Sequence, residues 1–222
     1  MRDIVAAARE GLRGLSDTPQ GQHFKTGDVR GLSARLFREA RRWPKEEVFS
    51  ACDLLLAERS WPLGVIAYDF AYRLRKQYDE HTFALFEGWL AQYVRGWGDC
   101  DDFCTHAFGE LICQDTALAR RVLPWTQREE FWMRRAAAVV LIPSIWHGLY
   151  AQTEPLRVAD LLMTDAHDLV RKGYGWMLKA LSQQEPQQVF DYLLAHRDKM
   201  PRVAYRYALE KLDAEKKKIL MQ

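Results

Sequence analysis

The sequence predicts an all-α protein, a solenoid built from antiparallel helix pairs. Apolar residues recur at helical spacing along most of the chain. The sequence shows neither a sustained alternation of apolar and polar residues nor an Asn-Gly or Asp-Gly hairpin turn, so it carries almost no strand signal. The helix breaks themselves recur at a nearly constant interval, which indicates a repeat array.

The helical periodicity is clearest in two stretches. In EEVFSACDLLLAER it aligns Val48, Cys52, Leu55 and Leu56 on one stripe, and HTFALFEGWLAQYV shows the same pattern. Short breaks such as SWP, GWGD, LPW and MP separate the stretches. The chain is therefore expected to form about a dozen helices of roughly 8–16 residues.

A bulky residue opens the second helix of each predicted pair, and these residues are evenly spaced. They are Trp61, Trp97, Trp132, Leu169 and Met200, at intervals of 36, 35, 37 and 31 residues. This period lies close to that of HEAT and armadillo repeats, about 40–47 residues. We therefore expect a right-handed HEAT-like or armadillo-like α-solenoid whose second helices line a concave face.

Length and composition fit one soluble domain covering residues 1–222. The chain is 48% hydrophobic and 28% charged. It has no apolar run of the roughly 20 residues that a membrane span needs, and its start lacks the apolar core of a signal peptide. We expect a cytoplasmic protein whose four cysteines are reduced.

The net charge of +2 conceals an asymmetry along the chain. Residues 1–116 carry 15 basic and 18 acidic residues, whereas residues 117–222 carry 17 and 12. The second half is therefore basic, which permits a polyanionic partner without requiring one.

The second helices carry an acidic turn followed by a basic row. Asp99 and Asp101 begin the series, and aromatic residues are interspersed with the basic ones. The row comprises Arg134, Arg135, Arg171, Lys172, Arg202 and Arg206. Any single member is most simply a solvated helix end or half of an ion pair. The row as a whole favours contact with nucleic-acid phosphates along a concave DNA-binding groove.

Four motifs, in order, resemble those of the AlkD-like DNA alkylation repair family of HEAT-like DNA glycosylases. They are FKTGDVRGLSARLFREA, GWGDCDDFCTHAFGE, FWMRRAAAVVLI and VRKGYGWMLKALS, within a resemblance from about Phe24 to Leu212. It implies excision of N3- and N7-alkylated purines without marked base flipping. It also implies that Trp97, Asp101, Arg135 and Trp176 carry catalysis and DNA contact.

The chain departs from the family pattern at two places. Gly98 occupies the usual position of the first Asp, and Asp99 is shifted by one. The segment SWPLG also lacks the usual acidic residue. Trp97 and Asp101 keep their register, so the departures bear on substrate range more than on the site.

The chemistry of such a reaction needs few protein groups. Trp97 and Asp101 are four residues apart and share one helix face. Departure of a cationic base builds positive charge on the sugar, which an ionised Asp101 stabilises while it orients water. Trp97 and Trp176 would offer their π faces to that cation. No cofactor, metal or lysine nucleophile is needed, which indicates a monofunctional glycosylase.

Other interpretations of the acidic segment remain open. Asp99, Asp101 and Asp102 are common types for a helix start, and we assign Asp99 to capping. A zinc site at Cys100, Cys104 and His106 lacks a second ligand pair at suitable spacing.

The main alternative function is a non-catalytic HEAT-like module for branched or damaged DNA. A third possibility, a protein-binding scaffold, would require an apolar concave face. The expected partner is alkylated double-stranded DNA, with no membrane or obligate protein partner, bound by a monomer.

Overall fold

The structure is a computed structural model that describes residues 3–15 and 24–221. Within these ranges the regular structure is helical and contains no strand. The chain forms two compact units, residues 1–107 (unit 1) and residues 108–222 (unit 2). One domain over residues 1–222 stays a prediction.

The described residues of unit 1 form six α-helices and a short 3₁₀ turn at Arg75–Gln77. Helices α3 and α4 are joined by three residues and pack against each other, which is an α-hairpin. Helices α2, α4 and α6 pack in succession. The helices are α1 (Ile4–Arg13), α2 (Thr26–Ala40), α3 (Lys45–Ala57), α4 (Trp61–Arg73), α5 (Thr82–Gln92) and α6 (Trp97–Cys104).

The apolar stripe predicted on α3 lies in the core of unit 1. Val48, Cys52 and Leu55 are fully buried, and Leu56 is nearly so. The Cys52 thiol donates to the carbonyl oxygen of Ala67 on α4, at 3.3 Å. Because its apolar side faces α4, α3 backs the helix against which α6 packs.

Unit 2 contains the remaining helices, the first of which begins at the unit boundary. They are α7 (Ala107–Gln114), α8 (Phe131–Val139), α9 (Ile142–Trp146), α10 (Tyr150–Thr153), α11 (Pro155–Leu162), α12 (Asp168–Gln184), α13 (Pro186–Ala195), α14 (Arg202–Leu209) and α15 (Ala214–Leu220). Helix α12 packs between α8 and α14. The basic residues predicted on successive second helices are therefore carried by neighbouring helices.

The sequence predicts a short break between helices at LPW. In the structure this segment belongs to a longer run of 3₁₀ turns, from Thr116 to Gln127. Pro124 lies inside this run, where its missing N–H and its ring would disrupt an α-helix. The side chain of Asp115 caps the run by accepting from the amide of Ala117.

The predicted period is confirmed, and the observed helix starts are more regular than the sequence markers. The second helices α2, α4, α6, α8, α12 and α14 begin 35, 36, 34, 37 and 34 residues apart. Met200, the last marker, lies two residues before α14.

Candidate functional site

Helix α6 presents Trp97 and Asp101 one turn apart. Trp97 is the first helical residue, after the extended N-cap Gly96, and the residue is 57% exposed. Asp101 is partly exposed. The predicted helical register of the pair is therefore confirmed, whereas the catalytic roles of the two residues stay a prediction.

Asp99 does not cap α6, so its predicted capping role is wrong. The N-cap is Gly96, which has no side chain to bond a first-turn amide, and Asp99 is the third helical residue. Burial raises the pKa of Asp99, and the nearby carboxylate of Asp102 raises it further. Asp99 is a partly desolvated acid whose ionised form is disfavoured.

Asp102 belongs to the buried side of α6. Its Oδ1 lies 2.5 Å from Nη2 of Arg30 on α2, while Asp102 Oδ2 and Arg30 Nε are buried without hydrogen-bond partners. Burial raises the pKa of Asp102 even though Arg30 opposes this. The three acids of DCDD therefore differ in environment, and Asp101 is the one that lies one turn after the exposed Trp97 on the same helix face.

A polar cluster around Asp69 lies behind α6 in unit 1. Asp69 Oδ2 accepts from Ser33 Oγ at 2.6 Å and from Arg73 Nε at 2.7 Å. His106 Nε2 lies 3.5 Å from Asp69 Oδ1, and its ring stacks on Tyr72. Burial alone would raise the pKa of Asp69, but these hydrogen bonds lower it below its usual value.

The residues considered for zinc have other environments. Cys100 and Cys104 are fully buried thiols in α6, and His106 contacts Asp69 and Tyr72. Across the described ranges, no three His, Cys, Asp or Glu side chains come together as a metal-binding group. Close packing does not require a glycine at position 98, because a Cβ added to Gly98 would lie 3.9 Å from its nearest neighbour, Trp61 Nε1.

Arg134 of α8 is held within unit 2. Its Nε donates to Asp165 Oδ2 at 2.5 Å, and its Nη1 donates to the carbonyls of Arg128 and Glu129 at 2.8 and 2.7 Å. The Arg134 and Asp165 side chains are 18% and 7% exposed. This geometry fixes the start of α8 on the segment that precedes α12.

Asp165 also anchors the start of α12. Its carbonyl accepts from Arg171 Nε at 2.6 Å, and its Oδ1 accepts from the amide of His167 at 2.8 Å. The His167 ring stacks on Phe131, the first residue of α8, with centroids 4.1 Å apart. Asp165 therefore orients two members of the basic row, Arg134 and Arg171.

Arg135 is 5% exposed and donates to the carbonyl of Leu169. Trp176, further along α12, is partly exposed. Of the remaining basic row, Lys172 pairs with Asp168 one turn earlier at 2.8 Å. Arg202 and Arg206 on α14 are exposed.

Sequence reasoning missed the roles of Asp165 and of two glycines in α12. An added Cβ at Gly173 would lie 3.0 Å from Arg135 Cγ, and one at Gly175 would lie 2.9 Å from the Ala204 carbonyl oxygen. Two glycines inside a strong helical pattern are a signal of close helix packing that the sequence does contain. Asp165 is 31 residues from Arg134, and no local pattern predicts that pair.

A family model matches residues 24–212, and its description is DNA alkylation repair enzyme. The chain belongs to the DNA alkylation repair enzyme family. No functionally curated protein matches the sequence. For this family member, no helix among the described residues has the length and hydropathy of a bilayer span.

Solved structures of similar fold cover nearly the whole chain. A predicted DNA alkylation repair enzyme from Enterococcus faecalis is 17% identical, with a TM-score of 0.75 and 96% of each chain covered. AlkD2 from Streptococcus mutans is 17% identical, with a TM-score of 0.68, over 95% of this chain and 100% of that chain. The structure of smu.31 from Streptococcus mutans UA159 is 17% identical, with a TM-score of 0.67, and also covers 95% of this chain and 100% of that chain. The predicted all-α helical repeat fold is confirmed.

Proposed function

We propose that this DNA alkylation repair enzyme is a monofunctional glycosylase for alkylated purines. It hydrolyses the N-glycosidic bond of positively charged N3- and N7-alkylated purines in duplex DNA. The observation that carries the proposal is the pairing of an exposed indole, Trp97, with the carboxylate of Asp101 one turn later on α6. Because it is exposed, this indole is accessible to a ligand that contacts the carboxylate.

The reaction develops positive charge on the deoxyribose as the neutral base departs. An ionised Asp101 stabilises that charge and orients the attacking water, as carboxylates do in glycoside hydrolysis. Trp97 stabilises the sugar cation through its indole face by cation–π attraction, and Trp176 is proposed for the same kind of contact. Neither a metal ion nor a covalent amine intermediate enters this scheme.

Binding to the duplex is assigned to the basic residues of unit 2. Arg134, Arg135, Arg171, Lys172, Arg202 and Arg206 are the proposed phosphate contacts. The exposed Arg202 and Arg206 gain most from a phosphate, because neither has a carboxylate partner among the described residues. Arg134 and Arg135 contribute through guanidinium groups that unit 2 already holds in place.

The partner is alkylated double-stranded DNA, which we propose is bound by a monomer without cofactor, membrane or obligate protein partner. The proposed location is the cytoplasm, at the nucleoid when DNA is bound. The alternative, a non-catalytic module for branched or damaged DNA, shares the phosphate contacts but does not use Asp101.

The test is incubation of the protein with a duplex that carries a single N7-methylguanine. Release of free base together with an abasic site is the expected result. If the duplex binds but no alkylated base is ever released, the binding-module alternative replaces the glycosylase.

A further inference from the structure

A pocket of about 460 Å³ lies beside α14 and α15 in unit 2. Its volume falls in the range of small-ligand sites, roughly 300–1,000 Å³. Basic residues form one part of the lining and apolar side chains the other. The basic part comprises Arg197, Arg202, Arg206 and Lys217, and the apolar part includes Tyr205, Leu209 and Leu220.

The basic part of this pocket carries an excess of positive charge. In the ranges that the structure describes, none of the three arginines forms an ion pair. The acidic residue in the lining, Glu210, is already paired with Lys179 at 2.7 Å. Three guanidinium groups and one ammonium group around one cavity make a site for an anion.

The apolar part of the pocket is formed by α14 and the end of α15. Tyr205 is buried, and its hydroxyl donates to the carbonyl of Leu220 at 3.1 Å, which ties α14 to the end of α15. Leu209 and the exposed Met221 complete the apolar wall of the pocket, and Met221 supplies most of its accessible surface. A ligand with both an anionic and a flat apolar part therefore suits this pocket better than an inorganic ion.

We propose that this pocket binds the phosphomonoester of a nucleotide, with the phosphate on the arginines and the nucleoside on the apolar wall. A phosphomonoester carries a charge of about −1.5 to −2 at neutral pH, more than the single charge of a backbone phosphodiester. A phosphomonoester is therefore attracted more strongly to a group of several cations than a backbone phosphodiester is. The pocket shares Arg202 and Arg206 with the proposed phosphate row, and to that extent it rests on the proposed function. Arg197 and Lys217 belong to the pocket alone.

Two sources supply this chemistry, a free nucleotide and the phosphorylated end of a DNA strand. Two duplexes that differ only in having 5′-phosphate or 5′-hydroxyl ends separate the sources. Tighter binding of the phosphorylated duplex identifies the strand end, and equal binding together with binding of deoxyadenosine monophosphate identifies the free nucleotide.

The proposal is tested by calorimetric titration of the full chain with deoxyadenosine monophosphate. Deoxyadenosine, which lacks the phosphate, should bind at least tenfold more weakly, since losing a charge-assisted contact changes affinity by about that factor. Arg197→Ala should weaken nucleotide binding about tenfold, for the same reason. The matched control is Arg157→Ala, because Arg157 is an exposed arginine of the same unit paired with Glu154 outside this pocket.

Absence of nucleotide binding, equal binding of deoxyadenosine, or full affinity in Arg197→Ala would each overturn the proposal. Circular dichroism of both variants establishes that they are folded. Excision of N7-methylguanine is measured separately on a duplex with 5′-hydroxyl ends. If the parent protein excises no base, the glycosylase proposal is wrong. The nucleotide titration still tests whether the pocket binds a nucleotide.

Discussion

The side chain of Arg135 on α8 lies against Gly173 on α12. A Cβ added at Gly173 would be 3.0 Å from Cγ and 3.2 Å from Nη1 of Arg135. Contacts that short are rare for real side chains, so the missing side chain is what allows the guanidinium group to reach the carbonyl of Leu169. The position of one basic residue therefore depends on a glycine in the neighbouring helix.

Gly175→Ala should destabilise unit 2, because the added methyl group would meet the backbone of α14. Its Cβ would lie 2.9 Å from the Ala204 carbonyl oxygen and 2.8 Å from Tyr207 Cβ. Overpacking of this kind costs about 1–3 kcal/mol. The control is Gly88→Ala in α5, where nothing lies within 4 Å and helix propensity should add about 0.5–1 kcal/mol. Urea unfolding measures both, and equal effects would contradict the close packing of α12 and α14.

Asp99→Asn should stabilise the protein at neutral pH. Burial and Asp102 raise the pKa of Asp99, so the folded state binds a proton that the unfolded state has released. The free energy of unfolding therefore falls as pH rises from about 3.8 through the folded pKa, and asparagine removes that loss. Urea unfolding at pH 7 should give a higher free energy of unfolding for the variant than for the parent. This difference should vanish below the pKa of the aspartate in the unfolded state. A less stable variant at pH 7 would restore a stabilising role for this carboxylate.

Arg134→Ala and Arg202→Ala should separate stability from DNA contact. Removing Arg134 leaves Asp165, whose side chain is 7% exposed, without its cation, at a cost on the order of 3 kcal/mol. Removing the exposed Arg202 should leave stability unchanged and reduce the salt dependence of duplex binding by about 0.9 in log–log slope. Thermal unfolding and binding titrations at several salt concentrations measure the two effects. An unchanged slope in Arg202→Ala would exclude it as a phosphate contact.

Asp101→Asn should abolish most base excision while leaving the fold and duplex affinity nearly unchanged. Asparagine keeps the shape of the side chain but removes the charge that stabilises the sugar cation. The expected loss is on the order of 10²–10³-fold in single-turnover rate on N7-methylguanine duplex. Asp28→Asn changes an acid in the first turn of α2 and serves as the matched control. Parent-like excision by Asp101→Asn would remove Asp101 from the mechanism.

The sequence predicts the helices and their period because both depend on local apolar spacing. The stripe on α3 is buried as expected, and α6 begins at Trp97. The capping role predicted for Asp99 is wrong because Gly96 takes the N-cap position, which leaves Asp99 partly buried in the first turn.

Local sequence patterns do not predict contacts between distant parts of the chain. Arg30 and Asp102 are 72 residues apart, and Arg134 and Asp165 are 31 apart. Their pairing depends on how neighbouring helices pack, which the sequence of either segment does not specify. The sequence therefore identified the basic row but could not distinguish its exposed members from those held by internal partners.

Helix α12 should be the slowest part of unit 2 to exchange its amide hydrogens with solvent. It has 17 residues and packs against α8, α9, α11, α13 and α14, so opening it requires separation from five neighbours. Hydrogen exchange followed by mass spectrometry would show this as late labelling of peptides from 168 to 184. Because Arg171, Lys172 and Trp176 project from so persistent a helix, DNA that binds them would find backbone positions already ordered and would incur little entropy loss in fixing them.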